Sequence, residues 1–244
     1  MKKIYFLFVL FTLFLTNDVF GQGSTCPQMT PFCANNEGIP FPNTTGQPNS
    51  ANVACLGSSP NQAWYYLQIG NSGNLDFQLS QVNAVGQGLD VDFVAWGPFT
   101  GSLQPDDINA TLANICAQLN LTCPSSCQSN TSPSANYPIP GTNIVDCSYS
   151  AITVENFSIP NAQTGEIYVV MITNFSNQPG LITLDQLNTS TGSTNCDIVC
   201  PLWIGDDFVL CENESATLTA SIAGANSYAW MLNGTTPVGN TQSI

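Results

Sequence analysis

Two aspartates inside an apolar stretch are the first candidates for chemistry in this chain. The stretch GLDVDFVAWGPF, residues 88–99, contains Asp90 and Asp92 two positions apart. In an extended strand both side chains lie on one face, about 7 Å apart, and carboxylate oxygens are the ligands that calcium prefers. Alternatively, the pair forms the solvated face of a strand near a sheet edge, where charge discourages edge-to-edge pairing. No full D-x-D-x-D-G loop is present, so both interpretations stay open.

The scarcity of basic residues limits the possible functions. The chain has 16 acidic residues but only two basic ones, Lys2 and Lys3, giving a net charge of −14, and it has no histidine. Both lysines lie in the N-terminal 21 residues, so a chain cleaved before Gln22 has no basic side chain to neutralise phosphate groups. We therefore expect no nucleic-acid binding and no attraction to anionic lipid. Imidazole zinc sites, Schiff-base lysines and histidine-activated nucleophiles are excluded as well. Only a hydrolase using two carboxylates survives among the common enzyme mechanisms, and no feature of the sequence selects a pair. We therefore expect a protein that is not an enzyme.

The N-terminal segment, residues 1–21, is predicted to be a signal peptide. Lys2 and Lys3 precede an apolar run over residues 4–15, which is too short to span a bilayer, and cleavage is expected before Gln22. No later segment is apolar for long enough to cross a membrane. We therefore expect a secreted or cell-surface protein with no membrane insertion of the mature chain.

Ten cysteines follow the signal, an even number that in a secreted chain predicts disulfides rather than zinc sites. Spacing does not determine connectivity, and our predicted pairs are those that close loops or join the ends of a module. These predicted pairs are Cys33–Cys55, Cys116–Cys147, Cys26–Cys196 and Cys123–Cys127. Cys200 and Cys211 are left, and either they pair together or Cys211 pairs with a cysteine beyond residue 244.

Short apolar or alternating segments separated by Gly, Pro, Asn and Ser clusters predict an all-β fold. We expect a jelly-roll-like β-sandwich over residues 22–197. The segment 165–175 is almost continuously apolar, as in a strand buried on both faces. Residues 24–52 and 120–143 read as loops. The predicted strands are 63–69, 75–82, 89–97, 151–159, 165–175 and 180–187.

One segment departs from the β pattern. Residues 104–119 place Ile108, Leu112, Ile115 and Leu119 at helical spacing. They follow Asp106 and Asp107, whose charges suit a helix N-terminus better than a cation site. A short helix is predicted here.

A second unit is expected over residues 198–244. Alternating residues after Cys211 and a tryptophan at Trp230 are typical of the first strands of an immunoglobulin-like or PKD-like sandwich. The segment is shorter than such a domain, so we expect it to be incomplete. The alternative is a two-hairpin appendage packed on the first domain. Asp206 and Asp207 read as the lead-in to its first strand.

Five aromatic residues offer a second kind of site. Aromatic rings on a sheet face can stack on sugars, whereas buried rings fill the core, and core packing is the favoured interpretation. The alternation of Tyr65 with its neighbours places at least one ring outward or in a second layer. The group comprises Trp64, Tyr65, Tyr66, Trp96 and Phe99.

Several longer stretches carry a family resemblance: ACLGSSPNQAWYYLQI, VDFVAWGPF, VDCSYS, IPNAQTGEIYVVMITNFSNQPG and GSTNCDI. Over residues 26–198 they resemble a module of very large surface proteins of the Bacteroidetes phylum. The resemblance implies a following PKD-like or immunoglobulin-like repeat and a gliding-motility-associated C-terminal domain used by type IX secretion. It implies an adhesin or another exported surface component and no catalytic residues. The cysteine-bearing insertion 117–136 is longer than the usual linker.

The chain resembles, more loosely, bacterial pre-peptidase C-terminal domains. These are jelly-roll sandwiches, some of which bind calcium and some of which bind polymers, and a D-x-D before an apolar strand is familiar among them. We therefore expect a non-catalytic extracellular binding or adhesion module of a large secreted surface protein. Its ligand would be an extracellular polymer, a surface glycan or a protein, with calcium at Asp90 and Asp92 as a possible cofactor. The alternative is an accessory module that targets a secreted hydrolase to its carbohydrate or protein substrate.

Overall fold

The computed structural model of the chain describes residues 23–34, 41–104, 106–124, 127–198, 217–218, 230–232, 236–241 and 243. The predicted signal peptide, Cys200, Cys211 and the Asp206–Asp207 pair lie outside these residues. The described residues form an all-β protein with one α-helix, α1, over Ile108–Gln118. The strands are β1 Thr30–Pro31, β2 Phe41–Asn43, β3 Ser50–Val53, β4 Leu56–Ser59, β5 Ala63–Asn71, β6 Gly73–Val82, β7 Val91–Phe99, β8 Ile144–Ser148, β9 Val154–Ala162, β10 Ile167–Asn174, β11 Gly180–Gln186, β12 Ser193–Thr194, β13 Trp230–Leu232 and β14 Thr236–Gly239.

Two sheets make the sandwich. The larger has the strand order β1-β5-β10-β7-β8, with β12 also paired to β5, and the smaller has the order β2-β11-β6-β9. Every pairing in them is antiparallel except that of β1 with β5. The β3–β4 hairpin lies outside both sheets, and so does the β13–β14 hairpin, the described part of the predicted second unit. The predicted all-β sandwich is confirmed.

The first core fills the space between the two sheets. Alternate residues of β6, namely Leu75, Phe77 and Leu79, point inward as the period of two predicts. On β7 the inward residues are Val91, Phe93 and Ala95. The aromatic and branched side chains between the two sheets are almost completely buried.

A second core covers the outer face of the larger sheet. There Val94 and Trp96 of β7 pack with Leu112 and Ile115 of α1 and with the β3–β4 hairpin. The larger sheet is therefore apolar on both faces, which is why all eight residues of β10 are buried and why the segment reads as a continuous apolar run. The predicted helix is confirmed, and Leu112 and Ile115 are the residues by which it packs.

Three of the four predicted disulfide pairs are wrong. The bonds are Cys26–Cys116, Cys33–Cys196 and Cys55–Cys147, and only the local pair Cys123–Cys127 is confirmed. The predictions Cys33–Cys55 and Cys116–Cys147 each closed a loop between strands, and Cys26–Cys196 joined the two ends of the module. In the structure the short 3₁₀ helix at Cys26 packs against α1 in the second layer, and the β3–β4 turn lies over β8. The partners are thus set by the extra layer and not by closeness in sequence.

The strand predictions miss the short elements. All six predicted strands are found with shifted ends, but residues 24–52 contain β1, β2 and most of β3, and β8 was not predicted. Among the described residues no helix is long and apolar enough to cross a membrane. The four disulfides are typical of proteins outside the reducing cytosol.

Candidate functional site

A pocket of about 380 Å³ opens at the end of the larger sheet where β7 begins. The register of β7 with its two neighbouring strands determines which residues surround this pocket. Asp92 of β7 lies opposite Thr173 of β10, and Phe93 lies opposite Ser148 of β8. Both neighbours run antiparallel to β7, so the segments that follow β8 and β10 leave the sheet on either side of the start of β7. The β3–β4 hairpin supplies the remaining wall. The lining residues are Cys55, Gly57, Ser58, Asp90, Asp92, Tyr149, Ala151 and Phe175.

The two sequence-predicted aspartates meet in this pocket. The interpretation of both as a solvated strand edge is wrong for Asp92, which is only 4% exposed. β7 is an internal strand, because it pairs with β10 on one side and β8 on the other. The outward face of β7, which carries Asp92, Val94 and Trp96, is covered by the second core. Asp90 precedes the strand and is half-buried.

One oxygen of each carboxylate lacks a hydrogen-bond partner. Asp90 Oδ1 and Asp92 Oδ1 are buried and accept no hydrogen bond. The only polar contact described at Asp90 is through its backbone, whose N–H donates to Ser176 Oγ at 2.9 Å. A buried acceptor left without a donor destabilises the fold by about 1–3 kcal/mol, and more when it is charged. The missing donors therefore favour the protonated form of both carboxyl groups.

A third carboxylate lies near the pair but does not line the pocket. Glu155 precedes Phe157 on the inward face of β9 and is 1% exposed. Its Oε1 accepts the backbone N–H of Ser150 at 3.2 Å, whereas its Oε2 has no partner. Glu155 thus adds negative charge behind the pocket wall.

The carboxylates hold their protons more tightly than usual. Burial, the Asp90 charge and the Glu155 charge together raise the pKa of Asp92 to about 8. Burial raises the pKa of Asp90. Burial, outweighing hydrogen bonds from Ser148 and Ser150, raises the pKa of Glu155 to about 7. A cation in the pocket would reverse the effect on Asp92, because opposite charge favours the ionised form.

Calcium at Asp90 and Asp92 stays a prediction. Among the described residues, no three His, Cys, Asp or Glu side chains are grouped so as to hold a metal ion. Calcium takes six to eight oxygen ligands, so carbonyl oxygens and water would have to complete a shell begun by two carboxylates. We accordingly expect weak binding, in the millimolar range that extracellular calcium modules show.

A thermal melt tests the calcium prediction. With Kd about 1 mM, about 10 mM calcium raises the free energy of unfolding by about 1.4 kcal/mol, or the midpoint by about 3–6 °C. The double variant Asp90→Asn, Asp92→Asn should lose this response. Asp106→Asn, Asp107→Asn removes the same charge from the exposed start of α1 and should keep it. Sodium chloride at equal ionic strength controls for screening, and an equal rise with sodium would contradict specific binding.

The predicted aromatic group packs in the core. Trp64, Tyr65, Tyr66, Trp96 and Phe99 are each at most 6% exposed, so the favoured core interpretation is confirmed and none is available for stacking on a sugar. Tyr65 lies in the first core and the other four in the second, as the alternation requires. The indoles of Trp64 and Trp96 stack at 5.7 Å.

The exposed aromatic rings at the pocket were not predicted. Tyr149 and Phe175 are 47% and 41% exposed and line the pocket beside the carboxylates. Each follows the end of a strand, Tyr149 after β8 and Phe175 after β10. A large aromatic residue in an otherwise polar turn was the available signal, in CSYS and TNFSN. Comparison of the chain with protein-family models and with curated proteins finds no match.

Proposed function

We propose that the chain is a non-catalytic extracellular binding module of a large secreted surface protein of the adhesin kind. One observation carries this proposal: a pre-formed pocket combines unpartnered carboxylates with exposed aromatic rings on a covalently braced sandwich. Pockets of about 300–1,000 Å³ with a few convergent polar groups are typical of ligand sites.

The arrangement favours binding over turnover. In carboxylate-dependent glycoside hydrolysis, the two carboxyl groups flank the scissile bond from opposite sides. Asp90 lies just before β7 and Asp92 within it, so both carboxyl groups approach a bound molecule from the same strand. The chain offers no histidine, and its only lysines are Lys2 and Lys3, so neither an imidazole nor a pocket lysine can serve as the general base.

The disulfides support a setting outside the reducing cytosol. Disulfides are formed and kept in oxidising surroundings, which is consistent with export guided by the predicted signal peptide. The resemblance to Bacteroidetes surface proteins supports placement on the cell surface and export by type IX secretion as part of the same proposal.

A retention assay tests the proposed function. The purified chain is passed over immobilised neutral polysaccharides, acidic polysaccharides and basic and acidic extracellular proteins, and the eluates are assayed for degradation products. We expect saturable retention on at least one matrix without any release of product. The control is the same chain after reduction and alkylation, which removes the fold. Turnover of a matrix would identify a hydrolase, and absence of retention on every matrix would overturn the binding role.

A further inference from the structure

The charge in the pocket has no internal balance. Asp92 lines the pocket and is only 4% exposed, and its Oδ1 has no hydrogen-bond partner. Asp90 also lines the pocket, and its Oδ1 has no partner either. The described residues contain no lysine, arginine or histidine, and the whole chain has only Lys2 and Lys3. No described side chain can neutralise the pair. Any compensating charge other than a proton must therefore come from another molecule.

The rim of the pocket selects among external cations. Tyr149 and Phe175 present ring surface at the opening, and such surface offers nothing to a strongly hydrated metal ion that needs oxygen ligands. It does suit an ammonium or guanidinium group on an aliphatic stem. Aromatic faces attract such cations, while the stem packs on the rings and the charged head remains free to reach carboxylates.

A neutral sugar fits the same surroundings less well. Its hydroxyl groups could donate to the carboxylates and its ring could stack on Tyr149 or Phe175, but it carries no positive charge to stabilise the ionised form of Asp92. Like charges at such close range disfavour each other's ionised form. A cation in the pocket relieves that repulsion, because opposite charge favours the ionised form of both carboxyl groups.

We propose, building on the binding role, that the pocket takes a lysine or arginine side chain presented by a partner protein. The ammonium or guanidinium group donates hydrogen bonds to Asp90 and Asp92, and its aliphatic stem lies against Tyr149 and Phe175. The net charge of −14 adds long-range attraction for a basic partner and speeds its approach. The β3–β4 wall is held by the Cys55–Cys147 disulfide, so the pocket is formed before the partner arrives.

Blocked peptides that differ at one central residue provide the probes. Four copies are prepared, with central lysine, arginine, norleucine or glutamate in otherwise identical Gly/Ser sequences, and each is titrated into the purified chain by NMR. We expect lysine and arginine peptides to perturb the amide signals around the pocket at millimolar or lower concentration. Norleucine has the same stem without the charge and should bind at least about tenfold more weakly, as charged hydrogen bonds contribute about that factor or more. Equal binding of lysine and norleucine peptides would overturn the proposal.

Variants separate local recognition from overall charge. The double variant Asp90→Asn, Asp92→Asn should bind the lysine peptide at least about tenfold more weakly than the original chain. The double variant Asp106→Asn, Asp107→Asn changes the net charge by the same amount. Its affinity for the lysine peptide should fall less than about twofold, because exposed charges interact weakly. Tyr149→Ala, Phe175→Ala keeps the charge and should weaken binding several-fold, about the contribution of exposed cation–π contacts. Both rings are exposed, so this variant keeps the fold. If the two double aspartate variants lose affinity for the lysine peptide equally, the attraction is non-specific and the proposal that the pocket binds the side chain is wrong.

Competing ligands supply the remaining outcomes. Calcium is titrated alone and against the lysine peptide, and a neutral hexose is titrated alone. Binding by calcium or the hexose, but not by the lysine peptide, would overturn the proposal in favour of that ligand. If a matrix retains both pocket variants as well as it retains the original chain, the lysine or arginine proposal is wrong and the binding role still stands. Absence of retention on every matrix would remove the binding role, while the peptide titration would still report on the pocket.

Discussion

Loss of the Cys55–Cys147 disulfide is expected to lower the free energy of unfolding by about 4.5 kcal/mol. The bond closes a loop with a sequence separation of 92, and in the chain-entropy model a loop of that length contributes about that much. Cys147 is fully buried in the second core, so alanine is the suitable replacement at both positions. Urea unfolding of Cys55→Ala, Cys147→Ala measures the change directly.

The local disulfide provides the matched control for this experiment. Cys123–Cys127 has a sequence separation of only 4, and Cys123→Ala, Cys127→Ala should cost about 2 kcal/mol in the same model. We also expect the first double variant to lose peptide binding at the pocket, because Cys55 is part of its wall. The control variant should bind normally. Equal losses of stability in the two variants would contradict the loop-length explanation.

Stability is expected to fall by several kcal/mol as the pH rises from 5 to 8. Asp92, with a pKa of about 8, and Glu155, with a pKa of about 7, hold protons in the folded chain that they release when it unfolds. Their usual pKa values are about 4. The native state binds more protons throughout this interval, so the free energy of unfolding decreases with pH. The contribution is complete below pH 4 and absent above about pH 8.

The substitution Asp92→Asn should reduce this pH dependence by at least half. Asparagine stays neutral, so the variant is expected to be more stable than the original chain at pH 8, with little difference at pH 5. Asp107→Asn removes an exposed charge and should leave the slope unchanged. Chemical unfolding at pH 5, 6, 7 and 8 in constant salt provides the measurement. A midpoint that rises steadily with pH would contradict the burial of Asp92.

The sequence was sufficient to predict the sandwich and its helix, because both follow from local periodicity. Leu75, Phe77 and Leu79 alternate with polar residues, and Leu112 and Ile115 recur at helical spacing. These patterns report which side of an element is buried. They do not report what covers it, so the second layer was not predicted beyond the requirement that one aromatic ring face away from the first core.

The errors at the candidate site have that same origin. Asp92 was correctly assigned to the face of β7 opposite the first core, but that face is covered, and a charge thought to be in water is buried. The partners of Cys26 and Cys55 depend on the same layer, through α1 and the β3–β4 hairpin. Tyr149 and Phe175 come together only because β8 and β10 flank β7, a strand order that local pattern does not encode.

The disulfide between Cys33 and Cys196 also determines how the chain responds to mechanical load. The bond joins the start of the sandwich to its end, with a sequence separation of 163 and the two Cα atoms 5.1 Å apart. Tension applied along the polypeptide passes through this covalent link, and the strands from β2 to β12 lie inside the closed loop and carry none of it. Pulling therefore cannot lengthen the tether by unravelling the sandwich. A module placed between a cell and the surface it holds would behave under drag as a short inextensible link.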